Sequence, residues 1–463
     1  MQTYTAAQVM TLAERPQGVS ISGPAVIRGN LDFPPSIAGP VTLDDVTVAG
    51  DVNASSTSFA KLVNLSGTTV EGSVDLSGAS FGAAALFDGT TFDGPADLSI
   101  AQFSRVSDFR NATFDQSADL ESVYFSDIAG FPSARFTSSA DFSDAEFHLG
   151  ADFTNAKFFD TAHFAWTRFS SAATFTLAYF NSQLDFSNSE FDRGATFIAA
   201  TLNGPADFDD SQSAGNMIFD GAHLNAGGTF VAAVLSGTTS FSQSHVSGSP
   251  LDLDEASIAQ LDLSGLALQS NNTSVLLPTT SGNLGGLGGL VADPGDVGEF
   301  GIKEQGSSAH VEREHALELI QAAAQRGDDT SVANAAHLRL RILKRQDESA
   351  LLRPLDWVFY WGVGGYFVVW WHPLVTIGAL LLIGTGLRLW RKWPVAETVP
   401  RQAAYFWKGF GSSFGSLWRL NVHSGTTAEM FEASLYKAVL IVFLMNLANV
   451  WPPLHDVLQG ILP

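Results

Sequence analysis

The chain of 463 residues contains no cysteine, so neither a disulfide nor a thiolate metal site can hold it, and the redox compartment cannot be read from thiols. Basic residues are scarce over the first 300 positions, 9 against 34 acidic ones, whereas beyond residue 300 there are 15 basic and 13 acidic. The formal charge of −23 therefore belongs to the N-terminal part, which should repel nucleic acid rather than bind it. Between Met1 and Gln17 no basic head precedes an apolar core, and the expectation is that this is not a secretory signal and that the N-terminal region stays in the cytoplasm. No His-Glu-x-x-His occurs, and His310 and His315 are wrongly spaced to put two ligands on one helical face. The run Gly285-Gly286-Leu287-Gly288-Gly289 follows no strand and lacks the Lys-Ser or Lys-Thr of a phosphate-cradling loop. No catalytic constellation stands out, and the expectation is a protein without enzymatic activity, cofactor or metal.

What is present is a repeat. Stepping from Phe59 alternately by six and five residues lands on Leu65, Val70, Leu76, Phe81 and Phe87, and continues without a slip to Phe241. Of the chain's 35 Phe, 25 lie on this lattice, and Ser213 is its one polar position. Two residues before each large side chain there is usually a small one, as at Ala96, Ala118, Ala140 and Ala162. A small-polar-large triplet alternates with period two, so its first and third residues point one way and the middle residue the other. The Ser, Gly, Asn, Asp and Thr in between supply turns. A fixed period with a turn in every half-repeat is the signature of a solenoid, whose units bury their apolar side only by stacking.

The outward residues indicate the coil length. Asp97, Asp119, Asp141, Asp185 and Asp207 are separated by multiples of 22, with His163 as the exception, while the half-offset series Asp108, Gly130, Asp152, Thr174 and Thr196 is mixed. An 11-residue coil would merge the two series into one column. A coil of four faces and twice that length is therefore expected. The Asp column has two readings, a solvated face or a partner-binding surface. Like charges about 4.8 Å apart repel by roughly 1 kcal/mol even at the dielectric of water, which motivates the second.

The triplets Ala96-Asp97-Leu98, Ala118-Asp119-Leu120, Ala140-Asp141-Phe142, Ala151-Asp152-Phe153 and Ala206-Asp207-Phe208 resemble the pentapeptide-repeat proteins, in particular a Phe-rich branch. The resemblance implies a right-handed quadrilateral β-helix. The chain departs from it by adding one residue to every second repeat. The later segments extend the resemblance to membrane-bound bacterial members of the family.

Along the chain, residues 1–18 read as a cap and 19–268 as the solenoid, with roughly 11 coils at 22 residues each. Residues 269–306, rich in Gly, Ser and Asn, read as a flexible linker. In 307–352 the period becomes helical, and two helices separated by Gly327-Asp328-Asp329 are expected to form a hairpin. Arg339, Arg341, Lys344, Arg345 and Arg353 then read as a basic belt facing anionic lipid, with a solvated face as the other reading. Residues 353–463 read as a membrane domain, with spans near 357–390 and 434–451 and an amphipathic helix near 402–420. Pro373 leaves two versions of the first apolar run open, one tilted span or a hairpin.

These features give a multi-pass protein of the cell membrane whose acidic solenoid acts as a scaffold for a protein partner at the cytoplasmic face. Membrane lipid is a further partner, and a homo-oligomer is allowed. Two alternatives stand beside it. Some members of the resembled family imitate duplex DNA and bind DNA gyrase, which the acidic rod would suit. Others carry a two-span channel, but the Thr-x-Gly-Tyr-Gly filter it would need is missing.

Overall fold

Strand pairing repeats at the expected interval. In the computed structural model Val74 pairs with Ala96, Ala96 with Ala118 and Ala118 with Ala140, all parallel and 22 residues apart. The structure describes residues 2–268, 273–277, 290–292, 302–304, 309–326 and 330–347. The chain divides into two units, Met1–Asp328 and Asp329–Pro463.

The first unit is a β-solenoid of about 12 turns. A regular coil contributes four short strands. In the coil that begins at Gln102 they are Gln102–Phe103 on the first face, Ser107–Asp108 on the second, Thr113–Phe114 on the third and Ala118–Asp119 on the fourth. The fourth face forms a sheet of its own, with 13 strands. Small and large residues of each triplet point inward: Ala118 is 1% exposed and Leu120 0%, while Asp119 between them is half-buried on the outside.

Phenylalanines fill the interior as parallel stacks. Phe87, Phe109, Phe131 and Phe153 follow one another at 4.6, 4.8 and 4.8 Å between ring centroids, with interplanar angles of 7° or less. The stacks also meet at right angles, as where Phe131 lies 5.5 Å from Phe142 at 90°. Both arrangements suit the aromatic quadrupole.

The alternation of five and six residues has a backbone cause. The five-residue halves carry one residue in the left-handed region, recurring each 11 positions at Ile100, Asn111, Ser122, Ser133, Asp144 and Asn155. It is the third residue of a tight turn. In the first of these the Ala101 N–H donates to the Leu98 carbonyl at 3.1 Å, which with positive φ at the third position is a type II turn. Most six-residue halves turn without such a residue and use the extra length instead.

A helix packs on each terminal coil. α1 (Ala6–Ala13) follows β1 (Gln2–Thr5) and lies against β2 (Val19–Arg28), with Val9 and Ala13 buried. Thr5 and Gln8 cap it reciprocally: the Gln8 N–H donates to Thr5 Oγ1 at 3.3 Å and the Thr5 N–H to Gln8 Oε1 at 2.8 Å. At the other end α2 (Ala309–Arg326) packs against the strands Leu290–Val291 and Ile302–Glu304, burying Ala316, Leu317 and Ile320.

Within the stretch read as a linker, Val275–Leu277, Leu290–Val291 and Ile302–Glu304 pair in parallel with earlier coils. Leu251 pairs with Val275 and Val275 with Ile302, so the interval has grown beyond that of the regular coils. Buried Val275, Leu277 and Leu290 keep the strand pattern while the longer interval hides the period.

In the second unit, α3 (Thr330–Asp347) buries Ala333, Ala336, Leu340 and Leu343, a stripe at helical spacing. Both helices expected from the 3.6-residue pattern are therefore present. The turn between them, 327–329, lies outside the described residues. Among the described residues no helix is long and apolar enough to cross a membrane. The spans near 357–390 and 434–451 and the amphipathic helix near 402–420 all lie outside the described residues.

Candidate interaction surfaces

Asp97, Asp119, Asp141, Asp185 and Asp207 stand in one column on the fourth face, joined through the pairings Asp97–Asp119, Asp119–Asp141, Asp141–His163, His163–Asp185 and Asp185–Asp207. The half-offset series lies on the second face, where Asp108 pairs with Gly130 and Gly130 with Asp152. The column extends beyond these five aspartates. Asp75 pairs with Asp97, and Asp252 follows after Thr229. Stepping back one coil from Asp97 would have found Asp75, whereas an extra residue in the intervening coil moves Asp252 off the count.

Each of these carboxylates holds a turn. Oδ1 of each accepts the N–H two residues on, from Ser99 to Asp97 at 2.9 Å, Glu121 to Asp119 at 3.0 Å, Ser143 to Asp141 at 2.9 Å, Ser187 to Asp185 at 2.9 Å and Asp209 to Asp207 at 2.9 Å. This Asx arrangement fixes the chain as it enters the left-handed turn. It explains why Asp stands here without requiring a partner. The column's repulsion is nevertheless felt. Burial raises the Asp119 carboxyl above its usual range, Asp97 and Asp141 add to the rise, and the Glu121 N–H opposes it. Asp207 is raised by burial and by Asp209, Asp185 and Asp210, and Asp252 by burial, Asp254 and Asp209. His163 interrupts the column with Nδ1 3.9 Å from the Asp185 carboxylate.

The third face differs in character. Its outward column runs Arg135, Lys157, Tyr179, Thr201, His223 and His245, with no carboxylate among them. The Arg135 guanidinium lies 3.9 Å above the Phe159 ring. Asn203 Nδ2 donates to the Tyr179 hydroxyl at 3.0 Å, and Asn225 Nδ2 donates to Asn203 Oδ1 at 2.7 Å. His223 and His245 stack at 4.7 Å. On the first face Arg168 pairs with Glu190 at 2.6 Å and Asp192 at 3.1 Å. Spacing alone did not single out either face, because their columns mix residue types.

Of the expected basic belt, Arg339, Arg341, Lys344 and Arg345 lie in α3, with Arg339 exposed, and Arg353 lies outside the described residues. Among the described residues no group of three or more His, Asp or Glu could hold a metal ion.

A family model described as pentapeptide repeats (9 copies) matches residues 76–123. Residues 76–123 of the solenoid are therefore pentapeptide repeats. The matched segment covers part of the solenoid, and the same pairing register continues on either side of it. No curated protein and no solved structure matches the chain. A pentapeptide-repeat β-solenoid is a structural fold, and it suggests a protein-interaction scaffold.

Proposed function

We propose that the protein is a membrane-anchored scaffold that holds a protein partner along its acidic solenoid at the cytoplasmic face, without catalysis. One observation carries the reading: outward residues are locked in columns at strand spacing over about 12 turns, a rigid surface built before any partner arrives. The apolar runs in 353–463 supply the anchor, and the basic residues of α3 favour anionic lipid beside it. Direct binding of nucleic acid is disfavoured by the charge. The acidic rod would also suit DNA mimicry, but a membrane anchor does not, and no feature of the described residues carries conduction.

Two measurements test it. After alkaline carbonate extraction the full-length protein should stay with the membrane pellet; recovery in the supernatant removes the anchor. Chemical cross-linking in its native cells, followed by purification in mild detergent, should then retain a partner. That partner should be lost when Asp97, Asp119, Asp141, Asp185 and Asp207 are changed together to Asn, which keeps each turn's acceptor and removes the charge. Equal retention by that variant would exclude the column as the recognition surface.

A further inference from the structure

Several of the exposed apolar side chains, Val106, Ile128 and Leu149 among them, lie together at one corner of the rod. Val106 and Ile128 occupy the same position on successive coils, just before the paired second-face strands Ser107–Asp108 and Ala129–Gly130, and Leu149 follows on the next coil. They are 40%, 52% and 52% exposed, and Tyr124 on the adjoining first face is 36% exposed. One coil earlier the same corner carries only Ala83 and Ala84. Two opposite charges flank the ridge, Arg105 before Val106 and Asp127 before Ile128.

We propose that this corner and the first face beside it bind a second copy of the chain, with the two rods antiparallel. A twofold axis perpendicular to the rod, passing between the coils of Val106 and Ile128, exchanges those two coils. Arg105 then faces Asp127 of the second copy, and by symmetry the pair occurs twice. Val106 faces Ile128. One coil further out, Ala83 meets Leu149, and Gly82 meets His148. Small residues on one side of the axis thus receive large ones from the other, so the surface is complementary to itself. An isologous contact of this kind closes at two copies.

Charge favours this approach over others. A rod with 34 acidic and 9 basic residues in its first 300 repels its own copy over most of its surface. Here each like-charged approach is replaced by an Arg–Asp pair. The contact is lateral because a helix already packs on each terminal coil. The inference does not depend on the membrane anchor or on any other partner.

Sedimentation velocity and light scattering of the full chain in mild detergent should give the mass of a dimer. Arg105→Glu places two acids opposite each other and should weaken the dimer at least tenfold, and adding Asp127→Arg should restore it. Ile128→Asp should also dissociate it while leaving the melting temperature of the solenoid unchanged, since all three positions are on the surface. The absence of cysteine permits spin labels at single sites, Ser58→Cys and Gln212→Cys. The axis sets these five and nine coils apart between copies, about 24 Å and about 43 Å along the rod at the usual strand spacing. A monomeric mass overturns the proposal, as does a dimer indifferent to Arg105→Glu and Ile128→Asp. So do short distances at both labels, the signature of parallel rods.

Discussion

Two ladders run along this rod with the same period, one inside and one outside, and they behave in opposite ways. The inner ladder from Phe87 to Phe241 is unbroken, with rings 4.6 to 4.9 Å apart. The outer ladder of aspartates on the fourth face is interrupted at His163 and Thr229, and burial and neighbouring carboxylates raise the carboxyls of Asp119 and Asp207 above their usual value. A one-dimensional repeat multiplies whatever one coil does to the next. An aromatic ring gains by lying on its copy, so selection of the same residue in every coil adds stability. A carboxylate loses by lying beside its copy, and each one offsets that loss by also holding a turn.

The largest effect should come from breaking the inner ladder. Phe131 is fully buried and stacked at 4.8 Å on both Phe109 and Phe153. Phe131→Ala should cost about 3–5 kcal/mol, read as a lowered urea midpoint of the solenoid transition. A cost no greater than that of a surface substitution would mean that the stacks contribute little.

On the outer ladder, Asp119→Ala leaves the Glu121 N–H without its acceptor and should cost about 1 kcal/mol. Asp119→Asn keeps the acceptor and removes a charge disfavoured by burial and by its neighbours, so its melting temperature should equal or exceed that of the parent. If Asn falls as far as Ala, the turn needs the charge itself, and the contrast between the ladders weakens.

Acidity sharpens the same contrast. Asp119, Asp207 and Asp252 have carboxyls raised above the ordinary value of 3.8. A group raised in the folded state binds its proton more tightly there than in the unfolded chain. Its stabilising contribution is complete below the unfolded value and is lost as pH rises through the folded one. Melting temperature should therefore rise as pH falls from neutral toward the carboxylate range. Changing all three residues to Asn should reduce that rise, and an unaltered profile would assign it to other groups.

The smallest effect concerns the turns that both ladders share. Ile100 is held at φ 59° where the preceding coil has Gly78 at φ 62°, and its side chain is 63% exposed. A β-branched residue is strained in this region. Ile100→Asn should raise stability by up to about 1 kcal/mol, seen in the same urea titration; a loss would show that the exposed side chain makes a contact worth more than the strain.

Much of this was legible because each coil solves the same packing problem. Once Phe59 to Phe241 keep one lattice, the coil length follows from the separate behaviour of Asp97 and Asp108, and the pairing register agrees. The Asx role of Asp97 was not legible, since a carboxylate on an outward column reads equally as solvated or as partner-binding until the Ser99 N–H is seen against it. The strands after residue 268 were hidden for another reason. The interval is longer from Leu251 to Val275 and from Val275 to Ile302 than between regular coils, and a fixed period is lost once spacing drifts even though inward apolar residues continue.

The sequence by itself determined the solenoid, the length of its coil and the identity of the residues in each column, because a strict period leaves a stacked chain only one way to bury its Phe side chains. Tertiary structure alone decided which half-repeat takes the left-handed turn, that the aspartates are engaged in that turn, and which unlike columns meet at a corner. Those outcomes depend on backbone angles and on neighbours one coil away, and no local pattern encodes either.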